Sequence, residues 1–283
     1  MQEKTQIKVL HVVYAMNTGG IESWLMAIYR KIDTSLIQFD FLINVEEKSF
    51  FDDEIIERGG RIYFGGKLNN PINLFKNANL LMKKNYYTSV HCHNIENAIP
   101  ILIAAKLNKI STLIFQSHND FNIRSSYLSF LKRNYLNMNR FLVSFLANKF
   151  LAVSKSAGDT FFKNKRYQCL SLGIDIDEYN PKNHNNKLRA EFKLKDFNIV
   201  VGHVGRFDVQ KNHDFFIDIA KELIELEPNI KFLLIGKGKL EKEIKEKVMI
   251  NRLSEYVIFT GVRGDVPQLM IDVMDTFLFP SLY

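Results

Sequence analysis

Two hydrophobic rhythms alternate along the chain. Short unbroken apolar runs read as strands covered on both faces, and stretches with apolar residues every three or four positions read as helices. In the first part the strand runs are residues 7–14, 39–44, 60–64, 89–93, 112–117, 150–153 and 167–172. Helical patterns fall at 21–31, 50–58, 73–84, 96–107 and from an N-capping Ser154 to 162. In the second part the strands are 197–204, 230–235, 256–260 and 276–279, with helices at 212–227, about 240–248 and 266–271. Strands alternating with helices predict βαβ units, parallel sheets and right-handed crossovers. Between the two arrays, residues 176–187 carry a proline, asparagines, charges and few apolar side chains, a linker pattern. The expected organisation is α/β: two Rossmann-like parallel-sheet domains, 1–181 and 182–283, with the boundary near Pro181.

Composition changes this picture little. The 283 residues are 46% hydrophobic and 24% charged, which suits folded domains and excludes a disordered chain. No run is long enough to cross a bilayer. The N-terminus goes almost directly into a strand, without a charged-then-apolar leader pattern, so a cytoplasmic location is expected. Cys92 and Cys169 fall inside predicted strands without metal-type spacing and read as reduced core residues. The net charge of +7 favours an anionic partner: a phosphorylated substrate, an acidic lipid or nucleic acid. No nucleic-acid motif accompanies it, so nucleic acid is set aside.

Candidate chemistry gathers at predicted strand ends, where open parallel sheets bind ligands. The strand ending at Val204 is followed by Gly205, by Arg206 and Lys211, and by a helix with Asn212 as its N-cap. Backbone amides, a helix dipole and two cations suit a diphosphate, although an ordinary loop with solvated cations has the same composition. Gly19 and Gly20 precede the first helix and allow close backbone approach to a ligand, or simply form a tight turn. The dinucleotide spacing G-x-G-x-x-G is absent. His91, His93 and His118 stand at or near strand ends. His118, before a polar loop, is the favoured functional histidine of the three. Residues 124–149 combine Tyr127, Leu128, Phe130, Leu131, Tyr135, Leu136, Phe141, Leu142, Phe145 and Leu146 with only positive charge: Arg124, Lys132, Arg133, Arg140 and Lys149. Such a helix suits an anionic membrane surface, or equally a sheet-packed helix with a basic edge.

Taken together, Gly19-Gly20-Ile21-Glu22, Ser117-His118-Asn119, Ala152-Val153-Ser154-Lys155, Gly173-Ile174-Asp175, Val204-Gly205-Arg206 with Lys211, Leu234-Ile235-Gly236-Lys237-Gly238, Phe259-Thr260-Gly261 and Phe279-Pro280-Ser281 occur in one register. In these motifs the chain resembles the retaining, Leloir-type glycosyltransferases of family 4, of GT-B fold, and within them the enzymes of bacterial capsule and exopolysaccharide synthesis. The resemblance implies two domains facing across a cleft, acceptor-side first and donor-side second. It implies a nucleoside diphosphate sugar as donor, a UDP-sugar by family analogy, with no other cofactor and no metal. The acceptor it implies is a saccharide or lipid-linked saccharide at the inner face of the membrane. By the same resemblance Arg206 and Lys211 neutralise the diphosphate and His118 lies near the transferred sugar. Gly19, Gly20, Gly205, Gly236 and Ser281 approach the donor, and Gly261, Val262 and Arg263 hold the base, mostly through backbone groups. Leu172 stands where the family usually has asparagine, and Asn212 where it has a small residue. After Phe279-Pro280-Ser281 the family continues into a motif of two glutamates, whereas the sequence stops at Tyr283. A truncated, incomplete second domain is therefore expected, poorly active on its own. The alternative is a non-catalytic remnant that still binds nucleotide sugar.

Overall fold

Seven parallel strands form the first sheet: β1 Ile7–Val12, β2 Ile37–Ile43, β3 Ile62–Phe64, β4 Ser89–Cys92, β5 Thr112–Ser117, β6 Lys149–Ala152 and β7 Gln168–Cys169. They belong to a computed structural model that describes residues 6–122, 129–184 and 187–282. The spatial order is β3-β2-β1-β4-β5-β6-β7. The chain winds outward from β1 to β3, then returns to the other side of β1 and winds outward again from β4. This reversal makes the carboxyl ends of β1 and β4 a topological switch point, where the connecting segments diverge and leave a crevice. The helices are α1 Gly20–Lys31, α2 Asp52–Glu57, α3 Pro71–Lys84, α4 Ile95–Leu107, α5 Phe130–Leu146 and α6 Lys155–Phe162.

Alternation along β1 sorts the core onto two faces. Leu10 and Val12 join Val90, Cys92, Phe115, Ala98, Leu102, Leu136 and Val143 in one apolar cluster. Val9 and Val13 turn to the other face, against Trp24, Leu25, Met26 and Tyr29 of α1 and Phe39 and Phe41 of β2. His11 shares that second face and is 3% exposed, a polar ring among aromatic neighbours. Asn70 caps α3, its side chain accepting from the Asn73 amide at 3.1 Å, and Pro71 fills the first helical position. Ser154 caps α6 as expected, accepting from the Ala157 amide.

The second sheet has four parallel strands: β8 Ile199–Val204, β9 Ile230–Ile235, β10 Val257–Gly261 and β11 Thr276–Phe277. Their order is β10-β9-β8-β11, so the winding reverses between β8 and β11. Its helices are α7 Lys187–Glu191, α8 His213–Leu226, α9 Glu241–Ile250 and α10 Val266–Asp272. Phe216, Ile217, Phe232, Leu234, Ile244 and Val248 fill one face. Val200, Leu233, Ile235, Leu269 and Val273 fill the other.

Contacts divide the chain into Met1–Ile174 and Asp175–Tyr283. The stretch expected to be an extended linker is more ordered than its polarity implied. It holds two 3-10 turns, Ile176–Tyr179 and Pro181–Asn183, and then α7. Both turns and α7 pack against α10, so they belong with the second sheet. Cys92 is buried, but Cys169 is exposed. The expectation of two core cysteines fails there because β7 is an edge strand of two residues, both exposed.

Candidate functional site at the strand ends

In the second unit the carboxyl ends of β8, β9 and β10 are laced by backbone bonds. The Gly205 amide donates to Ile235 O at 2.9 Å and the Gly236 amide to Gly261 O at 2.8 Å. The Phe207 amide donates to Lys237 O, and the Leu240 amide to Phe207 O. The crossing is too close for side chains. Gly236 has φ +134, and a Cβ built there would overlap Gly205 O and lie 3.0 Å from Gly205 C. A Cβ on Gly238 would lie 2.6 Å from Phe207 N and 2.7 Å from Phe207 C. Gly261 has φ +73, with the Lys237 side chain beside it. These glycines are therefore required by backbone geometry itself.

Onto this platform the β8–α8 loop brings its charges. The Arg206 side chain is 73% exposed and donates from Nε to Asp208 Oδ2 at 2.7 Å. Asp208 also accepts from the Lys211 amide, capping the single turn Val209–Lys211. Lys211 is half-buried and makes no ion pair within 4.0 Å among the described residues. Its ammonium sits 5.2 Å from the centre of the Phe279 ring. Burial lowers its pKa, Asp208 opposes that shift, and the nearby Arg206 charge adds to it. The two cations thus share one loop and are close enough to repel, a configuration that an anion relieves.

Asn212 opens α8 in the left-handed region, φ 53 and ψ 45, and its side chain makes no capping bond. The expectation of a side-chain N-cap is corrected here: the Asn212 amide instead donates to Pro280 O at 3.3 Å. With Leu282 N bonded to Gln210 O, this ties the segment after β11 to the cationic loop, across the β8/β11 switch point. Ser281, on that segment, has a hydroxyl shielded from solvent and without a partner. Val262 is 41% exposed. The Arg263 side chain is committed elsewhere, to Asp265 at 2.6 Å and Glu191 at 2.6 Å, leaving its backbone for other use.

In the first unit the switch point carries a different chemistry. Gly19 is the N-cap of α1 in extended conformation. The first intrahelical bond runs from the Ser23 amide to Gly19 O, so the amides before it point out of the helix end. A Cβ on Gly20 would meet nothing within 4 Å. Ile21, beside these glycines, lines a cavity of about 40 Å³ together with His93, Asn94, Gln116, His118 and Asn119. Ile21 of the first helix and His118 thus line the same cavity.

The histidines are more closely linked than their spacing implied. His11 Nδ1 lies 3.1 Å from His93 Nε2, and His93 Nδ1 lies 3.0 Å from His118 Nε2. His91 lies beside them, its ring tilted by 32° and centred 4.1 Å from that of His93. Burial holds all four neutral. It pushes His11 down to about 3 and His118 down to about 4, and it lowers His91 and His93 as well. His11, His91 and His93 bring three ring nitrogens within 4.8 Å of one another. Both nitrogens of His93 are already engaged in the row, however, so metal ligation would have to break it. His11 was not singled out in the sequence, because its place beside His91 follows from strand register, which pairs the two residues directly.

Residues 198–283 match the family model described as "Glycosyl transferases group 1". A putative glycosyltransferase, EpsF, of Bacillus subtilis is 31% identical over 288 residues, spanning 99% of this chain and 74% of that protein. The chain belongs to the group 1 glycosyltransferases. A second relative of this glycosyltransferase is the UDP-Gal:alpha-D-GlcNAc-diphosphoundecaprenol alpha-1,3-galactosyltransferase of Escherichia coli, 24% identical over 99% of the chain and 74% of the relative. Among solved structures, Anabaena HepE in complex with UDP and glucose superposes with a TM-score of 0.77 at 19% identity, over 98% of this chain and 74% of that one. The lipopolysaccharide glycosyltransferase WaaG superposes with a TM-score of 0.71 at 16% identity, over 97% of this chain and 75% of WaaG. The glycosyltransferase described here has the α/β architecture of these GT-B enzymes, with a seven-stranded parallel sheet followed by a second parallel sheet.

Proposed function

We propose that this glycosyltransferase moves a sugar from a UDP-sugar onto a growing, lipid-linked surface-polysaccharide precursor, with retention at the anomeric carbon. The observation that carries the reading is the β8/β11 switch point. Arg206 and Lys211 stand there on one loop at the start of α8, beside strand ends whose glycine backbones cross too closely for side chains. In this reading the two cations hold the diphosphate and stabilise the charge that grows on it as the glycosidic bond breaks, so their effect is largest in the transition state. Gly205, Gly236 and Ser281 flank the diphosphate and sugar, and backbone groups of Gly261, Val262 and Arg263 hold the base. Gly19, Gly20 and the outward amides of α1 serve the phosphates, and His118 serves the transferred sugar. The second unit is the donor domain and the first the acceptor domain. A UDP-sugar donor is supported by HepE, whose complex holds UDP and glucose. A lipid-linked acceptor is supported by the Escherichia coli relative, whose name specifies a diphosphoundecaprenol-linked sugar.

The same reading holds the enzyme against the inner face of the cytoplasmic membrane through α5. Leu136 and Val143 of this helix are buried, whereas Phe130, Leu131, Tyr135, Met138, Phe141 and Phe145 are exposed, with Lys132 and Arg133 among them. Arg140 does not belong to that surface. Its guanidinium lies over the Phe121 ring at 4.6 Å and donates to Thr160 O. Arg124, Tyr127 and Leu128 of the expected membrane segment lie outside the described residues. Among those described, no helix is long and apolar enough to cross a membrane. An anionic surface would cover the apolar stripe and attract its cations.

Calorimetric titration with UDP tests the donor site. Binding by the unaltered chain, weakened about ten- to a hundredfold in Arg206→Ala or Lys211→Ala, is the expected result for loss of one charge-assisted bond. Equal binding in all three removes the diphosphate assignment. Co-sedimentation with vesicles tests the membrane assignment, and indifference to lipid charge removes it.

A further inference from the structure

Arg263 presents a planar fork of N–H donors, and two carboxylates occupy both of its edges. Along one edge Nε donates to Asp265 Oδ1 at 2.8 Å and Nη2 to Asp265 Oδ2 at 2.6 Å. Along the other, Nη1 donates to Glu191 Oε1 at 2.6 Å and Nη2 to Glu191 Oε2 at 3.2 Å. Paired bonds of this kind fix the orientation of the guanidinium as well as its place. Asp265 is close by in the chain and moves with the same loop. Glu191 lies 72 residues away, so of the two it is the one that ties the loop to another element.

Glu191 is itself well anchored. It ends α7, whose Leu188 packs, with Phe192 just beyond the helix, in the core cluster that includes Val200, Ile235 and Val266. Arg189 of the same helix donates to Val273 O at 3.2 Å and to Asn198 O at 2.7 Å. Residues before and after Glu191 thus bind α7 to the second sheet.

What Glu191 holds is the turn after β10. Gly261 begins that turn at φ +73, and its carbonyl accepts from the Gly236 amide at 2.8 Å. Among the described residues, the amides of Val262 and Arg263 meet no protein acceptor. Unpaired amides at the carboxyl end of a parallel strand are donors that a ligand can use. The charge beside them is one guanidinium against two carboxylates, an excess of negative charge. A phosphate is disfavoured there, and an uncharged ring with carbonyl acceptors suits the place.

We propose that Glu191 is a positioning residue for donor recognition: through Arg263 it holds the Val262 and Arg263 amides rigid for the base of the donor nucleotide. The proposal rests on the reading above that Gly261, Val262 and Arg263 hold the base. Arg263 then acts as a strut. Its charge is balanced inside the clamp, and the nucleotide meets only its backbone. Without Glu191 the guanidinium keeps only its near partner, and the turn must be ordered each time nucleotide binds.

Calorimetric titration of the full chain with UDP and with inorganic pyrophosphate separates the base end from the phosphate end. Glu191→Ala should weaken UDP about tenfold, the equivalent of fixing one residue's backbone on binding, and leave pyrophosphate unchanged. Arg206→Ala should weaken both. Glu191→Gln keeps the size of the side chain but not its charge, and should fall between the unaltered chain and Glu191→Ala. In a chain already carrying Arg263→Ala, Glu191→Ala should change UDP affinity no further. By ¹⁵N relaxation, the backbone order parameters of Val262 and Arg263 should fall from about 0.85 in the unaltered chain towards about 0.6 in Glu191→Ala. Unchanged UDP affinity in Glu191→Ala overturns the proposal. So does an equal loss for UDP and pyrophosphate, which marks a general loosening of the fold, and so does an equal effect of Glu191→Ala with and without Arg263. UDP should also move the Val262 and Arg263 amide signals of the unaltered chain. If those signals do not move, the base assignment fails and the proposal falls with it. If they move but Glu191→Ala alters neither their order parameters nor UDP affinity, the clamp fails and the base assignment stands.

Discussion

Gly236→Ala should be among the most damaging single-methyl additions in the second unit. At φ +134 an L side chain is strained by about 1–3 kcal/mol wherever it stands. The added Cβ would also overlap Gly205 O and crowd Gly205 C at 3.0 Å. Both obstructing atoms are backbone, so no side chain can swing away. Relief requires the β8 and β9 ends to part, which strains the Gly205-to-Ile235 and Gly236-to-Gly261 hydrogen bonds, worth about 1 kcal/mol each. The expected loss is about 3–5 kcal/mol, a large share of the 5–15 kcal/mol typical of a domain. Gly173→Ala is the matched control, since a Cβ there meets nothing within 4 Å and the backbone is not left-handed. Its stability should change by less than about 1 kcal/mol. Urea unfolding followed by circular dichroism, with UDP titration alongside, measures both variants. The reasoning is refuted if Gly236→Ala unfolds within 1 kcal/mol of Gly173→Ala and still binds UDP as the unaltered chain does.

Arg206→Ala should separate binding from stability. The side chain is 73% exposed and its partner is a loop aspartate, so its removal should shift the unfolding free energy by no more than about 0.5 kcal/mol while UDP affinity falls. Asn212 occupies the left-handed region, so Asn212→Gly should cost only about the lost Pro280 bond, roughly 1 kcal/mol, and Asn212→Val about 1–2 kcal/mol more in urea unfolding. Acid should weaken the fold through its buried histidines. His11 is depressed to about 3, and His118 and His213 to about 4, against about 6.5 when unfolded. The unfolded chain therefore binds more protons below that value, and stability should fall as pH drops from about 6.5 towards 4. His213 stacks on Phe207 with both nitrogens unpartnered, so His213→Leu should flatten that slope in urea midpoints taken across the range.

The strands were legible because a strand buried on both faces leaves an unbroken apolar run. Residues 112–117 and 230–235 were expected as strands, and β5 and β9 occupy those positions. α7 was not legible, because a five-residue helix with only Leu188 and Ala190 as apolar positions is too short to show an apolar period, and its packing against α10 is a tertiary fact. Cys169 misled for a related reason. β-type residues around it suggest a core strand, but exposure depends on whether another strand lies beyond, and β7 is the last of its sheet. The cationic loop was legible as a motif, yet the pairing of Arg206 with Asp208 and the transfer of the Asn212 amide to Pro280 depend on side-chain directions that spacing does not carry.

The two strand-end regions differ in what a mutation can reach, and that difference explains which parts were readable. At the carboxyl ends of β8, β9 and β10 the constraint lies in glycine backbone and the cations follow on one loop, so the sequence advertises the site through residue types that few other positions need. At the β1/β4 switch point the constraint lies in the register of β1 against β4, which sets His11 beside His91 and lets His93 bridge inward to His11 and outward to His118. No single residue there is unusual; a histidine in a strand is common. The information lies in a pairing between residues eighty positions apart.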